Sequence, residues 1–164
     1  MPIRTLIPWK PHPESDSAEL ERFQAAARRW LGTPYVAGQC AIGAGVDCLR
    51  FVAALACETE GREMVETDQL PQDTAFHRPD KARQAIRALM ENFPTWQRVK
   101  VPNCLYPGDL VVVGPHGIPA HGMMVNTQPN TLIHAGRREV CLAPASFSGD
   151  FGFNSLYRRT FDAA

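Results

Sequence analysis

The stretch Gly45-Val46-Asp47-Cys48-Leu49-Arg50-Phe51-Val52-Ala53 sets an aspartate and a cysteine where a glycine-rich segment gives way to apolar residues at helical spacing. Asp47 carries the short acceptor side chain that helix N-caps use, which makes Cys48 the first helical residue. Apolar residues at 48, 51, 52 and 55 recur at i, i+3, i+4 and i+7, so one stripe of the helix is expected to be buried and to fix Cys48 at its end. The first amides of a helix lack intrahelical acceptors and carry the positive end of its dipole, which eases loss of the proton from a thiol placed there. A thiolate nucleophile is made in this way.

Upstream, residues 1–14 hold four prolines and read as an extended arm that packs through Ile7 and Trp9. Asp16 and Glu19 form a capping box. Leu20, Phe23, Ala27, Trp30 and Leu31 then give the apolar face of a first helix that ends at Gly32. Between Thr33 and Val46 there is no regular period, so a loop is expected to wind to the cysteine helix and shape a cleft beside it. Residues 62–100 read as a helical insertion, with a loop at Gln69-Leu70-Pro71-Gln72-Asp73. A helix follows from about residue 79 to 93, with Ala82, Ile86, Leu89 and Met90 on one face.

After Pro107-Gly108-Asp109 the pattern turns to strands, at 110–113, 121–126, 131–135 and 139–143. Gln128-Pro129-Asn130 and Gly136-Arg137-Arg138 supply turns between them, so this half reads as an antiparallel meander. Helices preceding a sheet make an α+β domain, and 164 residues with 45% hydrophobic content fit one domain spanning 1–164.

The charge balance, 17 basic against 17 acidic residues, holds no basic run interleaved with aromatics, which speaks against nucleic acid as a partner. Neither a signal-peptide core nor a stretch approaching a membrane span is present, so the expectation is a protein that is cytoplasmic as synthesised. Five cysteines, an odd number without a small-scaffold pattern, argue for reduced thiols.

A thiolate nucleophile needs a base within reach, and the base benefits from a third polar group that orients its ring. His121 and His134 fall in adjacent predicted strands, one near the start and the other near the end, so a hairpin brings them to one end of the sheet. Cys48, His121 and His134 fit the three roles. The competing reading makes Cys48 an inert buried cysteine and the histidines satisfied strand residues.

Cys40, in Gly38-Gln39-Cys40, is a second candidate nucleophile, but Ala41-Ile42-Gly43-Ala44-Gly45 after it breaks the helix it needs. Packing accounts for Cys57, Cys104 and Cys141. Zinc on Cys48, His121, His134 and Cys141 lacks any close Cys-x-x-Cys or His-x-x-x-His pair, so no metal is expected. His116 is read as a loop residue at the cleft rim. Arg137 and Arg138 follow His134 closely enough to touch an acidic substrate.

In order, Trp30-Leu31-Gly32-Thr33-Pro34-Tyr35, Gly45-Val46-Asp47-Cys48, Pro107-Gly108-Asp109-Leu110, His121-Gly122-Met123-Met124-Val125 and Leu132-Ile133-His134-Ala135 resemble the NlpC-like cysteine peptidases. The resemblance covers residues 20–145. It implies a papain-like α+β fold, with the cysteine at a helix start packed on an antiparallel sheet. It further implies hydrolysis of peptidoglycan stem peptides after γ-linked D-glutamate, with Cys48 as nucleophile, His121 as base, His134 orienting it, and no cofactor. Tyr35 and Asp47 match positions that hold the substrate amine or polarise the site.

Where the family commonly continues Asp-Cys-Ser-Gly, this chain has Asp47-Cys48-Leu49-Arg50, which alters the amine pocket. That leucine, the absent signal peptide and the inserted helix resemble phage or prophage members associated with tails, which makes phage tail proteins expected partners. The rival expectations are a catalytically weak tail-assembly scaffold, with an occluded thiol, and an acyltransferase or thioesterase, with an apolar groove.

Overall fold

The computed structural model describes residues 7–13, 17–64, 70 and 79–159. Asp16 of the expected capping box, most of the 69–73 loop and the ends of the chain lie outside them. The first helix, α1 (Ser17–Trp30), buries Phe23, Ala26, Ala27 and Trp30. Leu31 stays exposed. Glu19 pairs with the Arg159 guanidinium at the far end of the chain. Segment 33–46, expected as a loop, contains a two-stranded hairpin, β1 (Cys40–Ala41) and β2 (Gly45–Val46), paired antiparallel.

The cysteine helix, α2 (Cys48–Glu60), is N-capped by Asp47 and ends at Gly61 in the left-handed conformation, φ 67°. Every residue from Cys48 to Cys57 is buried, so the helix is covered all round rather than along the one stripe expected from its spacing. A central helix is what a layered α+β core requires. Trp30 Nε1 donates to Glu58 Oε1 at 2.8 Å, fastening α1 to the end of α2.

α3 (Pro79–Glu91) falls in the inserted stretch, with Ala82, Ala85, Ile86 and Leu89 buried. The same stretch also contributes a strand, β3 (Trp96–Val99). With β4 (Leu110–Val113), β5 (His121–Val125), β6 (Thr131–Ala135), β7 (Val140–Pro144) and β8 (Phe153–Arg159) it builds one sheet, ordered β3-β8-β4-β5-β6-β7. Each adjacent pair is antiparallel. The expected meander is β4 to β7; β3 and β8 extend it at the β4 edge.

Alternation sorts the strands into two faces. Leu110, Val112, Met124, Ile133, Ala135 and Val140 pack with α1 and α2. Val111, Val113, Met123, Val125, Leu132 and Leu156 form a second layer with Ile7, Leu105 and Phe147. The described part of the proline-rich arm, residues 7–13, packs on that layer: Trp9 bridges Leu105 and its indole donates to the Asn126 carbonyl at 3.1 Å. Asp109, buried at the start of β4, takes two hydrogen bonds from Arg158 of β8, at 2.9 and 2.7 Å, and the Tyr106 amide at 2.8 Å. These contacts pin the end of the sheet remote from His121.

Gly114 closes the other end of β4. A Cβ there would stand 1.7 Å from the Ile118 carbonyl oxygen and 2.9 Å from the Ala120 amide, so only glycine lets the 115–119 turn fold back and start β5 at His121.

Candidate active site

Asp47 organises the segment that leads into Cys48. Its carboxylate, 1% exposed, accepts the Arg50 amide at 3.0 Å, the Gly38 amide at 2.8 Å and Arg50 Nη1 at 2.8 Å. Arg50, itself 2% exposed, spends its other terminal nitrogen on the Leu70 carbonyl at 2.8 Å. A buried ion pair of this kind holds geometry more than it adds stability, because desolvation offsets most of the attraction. Here it locks the helix cap to the 38–47 loop and to residue 70. Tyr35 bridges Val46 in parallel and donates its amide to Arg138, so its half-buried side chain stands beside the strand that enters Asp47 and Cys48.

The two histidines meet as their strand positions require. Register pairs Met124 with Ile133 and Val125 with Leu132, so Met123 stands across from His134 and His121 reaches it diagonally. His121 Nε2 lies 2.8 Å from His134 Nδ1, with the rings edge to face. On the next strand Cys141 is the direct partner of His134, and its Sγ lies 3.5 Å from Nε2. Both nitrogens of His134 are therefore engaged. Alternation puts this trio on the side of Met123 and Leu132, opposite Gly122.

The helix and β5 run in step. A Cβ on Gly122 would stand 3.6 Å from Val52 Cγ2, and one turn on, Ala56 and Met124 line the same cavity. Val52, one helical turn after Cys48, thus packs at Gly122, the residue that follows His121. Cys48 is 1% exposed, closed in by its neighbours.

Burial pushes the His121 imidazole down to about 3, with the charge of His134 as the lesser cause. Burial lowers His134 as well. Two imidazoles sharing one hydrogen bond cannot both be protonated without losing it, and burial disfavours a proton charge on either ring. Burial raises Cys141, aided by Glu139, and keeps it a thiol. Cys40, whose Sγ lies 3.8 Å from the Arg50 carbonyl, is pushed up to about 11, chiefly by burial and then by Asp47. An inert thiol is what its position outside a helix start implied.

Among the described residues, no group of three or more His, Cys, Asp or Glu is disposed to hold a metal ion. Nor does any described helix have the length and apolarity to cross a membrane. His116 sits exposed in a short 3-10 turn with φ 52°.

Two residues escaped the sequence reading. Cys141 was assigned to packing, yet counting strand residues outward from the Arg137-Arg138 turn pairs it with His134. Arg50 was noticed only as a departure, although its i,i+3 spacing from Asp47 allows the ion pair that forms.

No protein-family model matches the chain, and no curated protein matches it. Solved structures do. An NLP/P60 family protein from Staphylococcus aureus subsp. aureus Mu50, described as similar to lipoprotein, superposes with a TM-score of 0.56 at 16% identity, over 91% of this chain and 44% of that one. An NlpC/P60 family protein from Bacillus cereus ATCC 10987 gives 0.51 at 20%, over 85% of this chain and 39% of that one. RipD from Mycobacterium tuberculosis, described as a non-catalytic NlpC/p60 domain protein adapted to peptidoglycan binding, gives 0.54 at 14%, over 89% of this chain and 100% of that one. The chain spans less than half the length of the first two. At these identities the likeness shows the fold, the papain-like α+β arrangement expected from the sequence.

Proposed function

We propose that this chain is a cysteine peptidase that hydrolyses γ-D-glutamyl amide bonds in peptidoglycan stem peptides. What supports the reading is a helix start at Cys48 capped by Asp47 and, in the same chain, a hydrogen-bonded pair of imidazoles, in a fold shared with NlpC/P60 proteins. Cys48 attacks the amide carbonyl while neutral His121 takes its proton, and His134, held on both sides, keeps the base in one orientation. The Cys48 amide, at the positive end of α2, steadies the oxyanion. His121 then protonates the leaving amine, and water releases the acyl group from sulfur. Tyr35 borders the substrate amine, and Asp47 serves through the cap and the Arg50 pair that shape that border. Leu49, in place of the family's small residue, is 2% exposed and belongs to the core around α2.

A second reading has its own support. Cys48 is 1% exposed, the imidazole trio takes the sheet side opposite Gly122, and RipD is described as non-catalytic and peptidoglycan-binding. On that reading the chain binds stem peptide, or serves as a phage-tail scaffold, without turnover. Incubation of the protein and its Cys48→Ala variant with muropeptides of defined stem, products identified by mass spectrometry, separates the two. Cleavage after γ-D-glutamate by the unaltered protein alone is expected; retention of every stem intact by folded protein would transfer the case to binding.

A further inference from the structure

One cleft lies outside the thiol and imidazole set. On it converge Arg83 and Arg87 of α3, Arg98 of β3, and Asn154, Ser155 and Tyr157 of β8. The three arginines are exposed, and none forms an ion pair with a described residue. They come together by register: Arg83 and Arg87 are one turn apart on α3, and Arg98 is the direct partner of Tyr157. The opposite wall is set before any ligand arrives, since Asn154 Nδ2 donates to the Gly117 carbonyl at 2.7 Å and Ser155 Oγ donates to Asn154 Oδ1 at 3.1 Å.

Three guanidiniums around one concavity are unusual in a chain with 17 basic and 17 acidic residues, because the overall charge gives no excess to distribute. Their position is also specific. The cleft floor includes Val112, the direct β4 partner of Gly122, against which α2 packs one turn from Cys48. Its lining includes buried Pro119, two residues before His121. The cleft therefore adjoins the α2 end of the sheet, on the face that α2 covers.

We propose that this cleft binds an acidic peptide through two or more of its carboxylates, with Arg83, Arg87 and Arg98 as the receiving groups. Guanidinium forks match planar carboxylates, and a strand-flanked groove accepts an extended chain. Delivery of a scissile amide from this cleft to Cys48 rests on the function proposed above; the binding itself does not.

The test is calorimetry on Cys48→Ala protein with L-alanyl-γ-D-glutamyl-diaminopimelate, against the same tripeptide with every carboxyl amidated. Binding of the acid form, with the amidated form at least about tenfold weaker, is expected. Exposed charge pairs contribute up to about 1 kcal/mol, so Arg83→Gln, Arg87→Gln and Arg98→Gln should each weaken binding about fivefold and the triple variant about 100-fold, while Arg28→Gln on α1 leaves it unchanged. Equal binding of both peptides, or indifference to the three substitutions, would overturn the proposal. So would displacement by inorganic phosphate at concentrations equal to those of the peptide, which would mark a general anion site. Cleavage by the unaltered protein with charge-independent binding removes the cleft and leaves the peptidase; charge-dependent binding without cleavage does the reverse.

Discussion

His134 Nδ1 accepts or donates the 2.8 Å hydrogen bond to His121 Nε2 while its other nitrogen faces Cys141, so the ring that meets His121 is itself held from both sides. Replacing His134 by alanine frees the His121 ring and is expected to lower kcat about 100-fold or more with little change in KM. His134→Asn, which keeps a polar partner, should recover part of that loss. Steady-state cleavage of a stem peptide reads both values.

The lowered proton affinity of His121 has two consequences of fixed sign. The proposed base, pushed down to about 3, stays neutral well below the ordinary imidazole value near 6.5, so kcat/KM should hold as pH falls through 6. Stability behaves oppositely. The unfolded histidine binds a proton that the folded one refuses, so stability is full above about pH 6.5 and declines as pH falls from there toward 3. Urea midpoints at pH 7.5, 5.5 and 4.5 should decline, and His121→Asn should flatten the trend.

Cys141→Val preserves volume at the β7 position and removes only the sulfur contact with His134. A weak sulfur hydrogen bond is worth about 0.5–1 kcal/mol, so a two- to fivefold fall in kcat is expected, with the urea midpoint nearly unchanged. A fall in stability without a change in rate would make Cys141 a packing residue alone.

Arg50→Met leaves the Asp47 carboxylate buried beside two amide donors but without its cation. Breaking a buried pair from one side costs about 3–5 kcal/mol, measurable by urea unfolding. Asp47→Asn combined with Arg50→Met keeps a helix cap and removes the orphaned charge, so much of the loss should return.

Gly114→Ala drives a methyl group against the Ile118 carbonyl and the Ala120 amide, and the turn before His121 must shift. A loss of at least about 1–3 kcal/mol is expected, together with loss of activity, because the displaced residues lead into His121, the proposed base. Gly108→Ala, where nothing lies within 4 Å of the added atom, carries only the strain of its φ of 89° and should leave turnover intact.

Local rules carried most of what was legible. Asp47 and the spacing after Cys48 define the helix start from neighbours within one turn, and the hairpin turn before Thr131 brings two histidines to one sheet end by counting alone. What escaped was long-range. β8 does not alternate in burial, because Arg158 and Arg159 are drawn inward by Asp109 and Glu19, partners 49 and 140 residues away. β3 lies at the sheet edge with its two central residues exposed, so it lacks a strand's hydrophobic signature. The full burial of α2 depends on α1, the sheet and Leu70 closing over it, and Arg50 is read correctly only when Leu70 is in place.

Acid-quenched intact mass spectrometry during turnover of a stem peptide, followed by peptide mapping, tests the nucleophile most directly because five free cysteines compete for the assignment. A thioester of the γ-glutamyl acyl group on Cys48, absent from Cys48→Ala, is expected. An adduct on Cys40, Cys57, Cys104 or Cys141, or turnover that persists in Cys48→Ala, would contradict it.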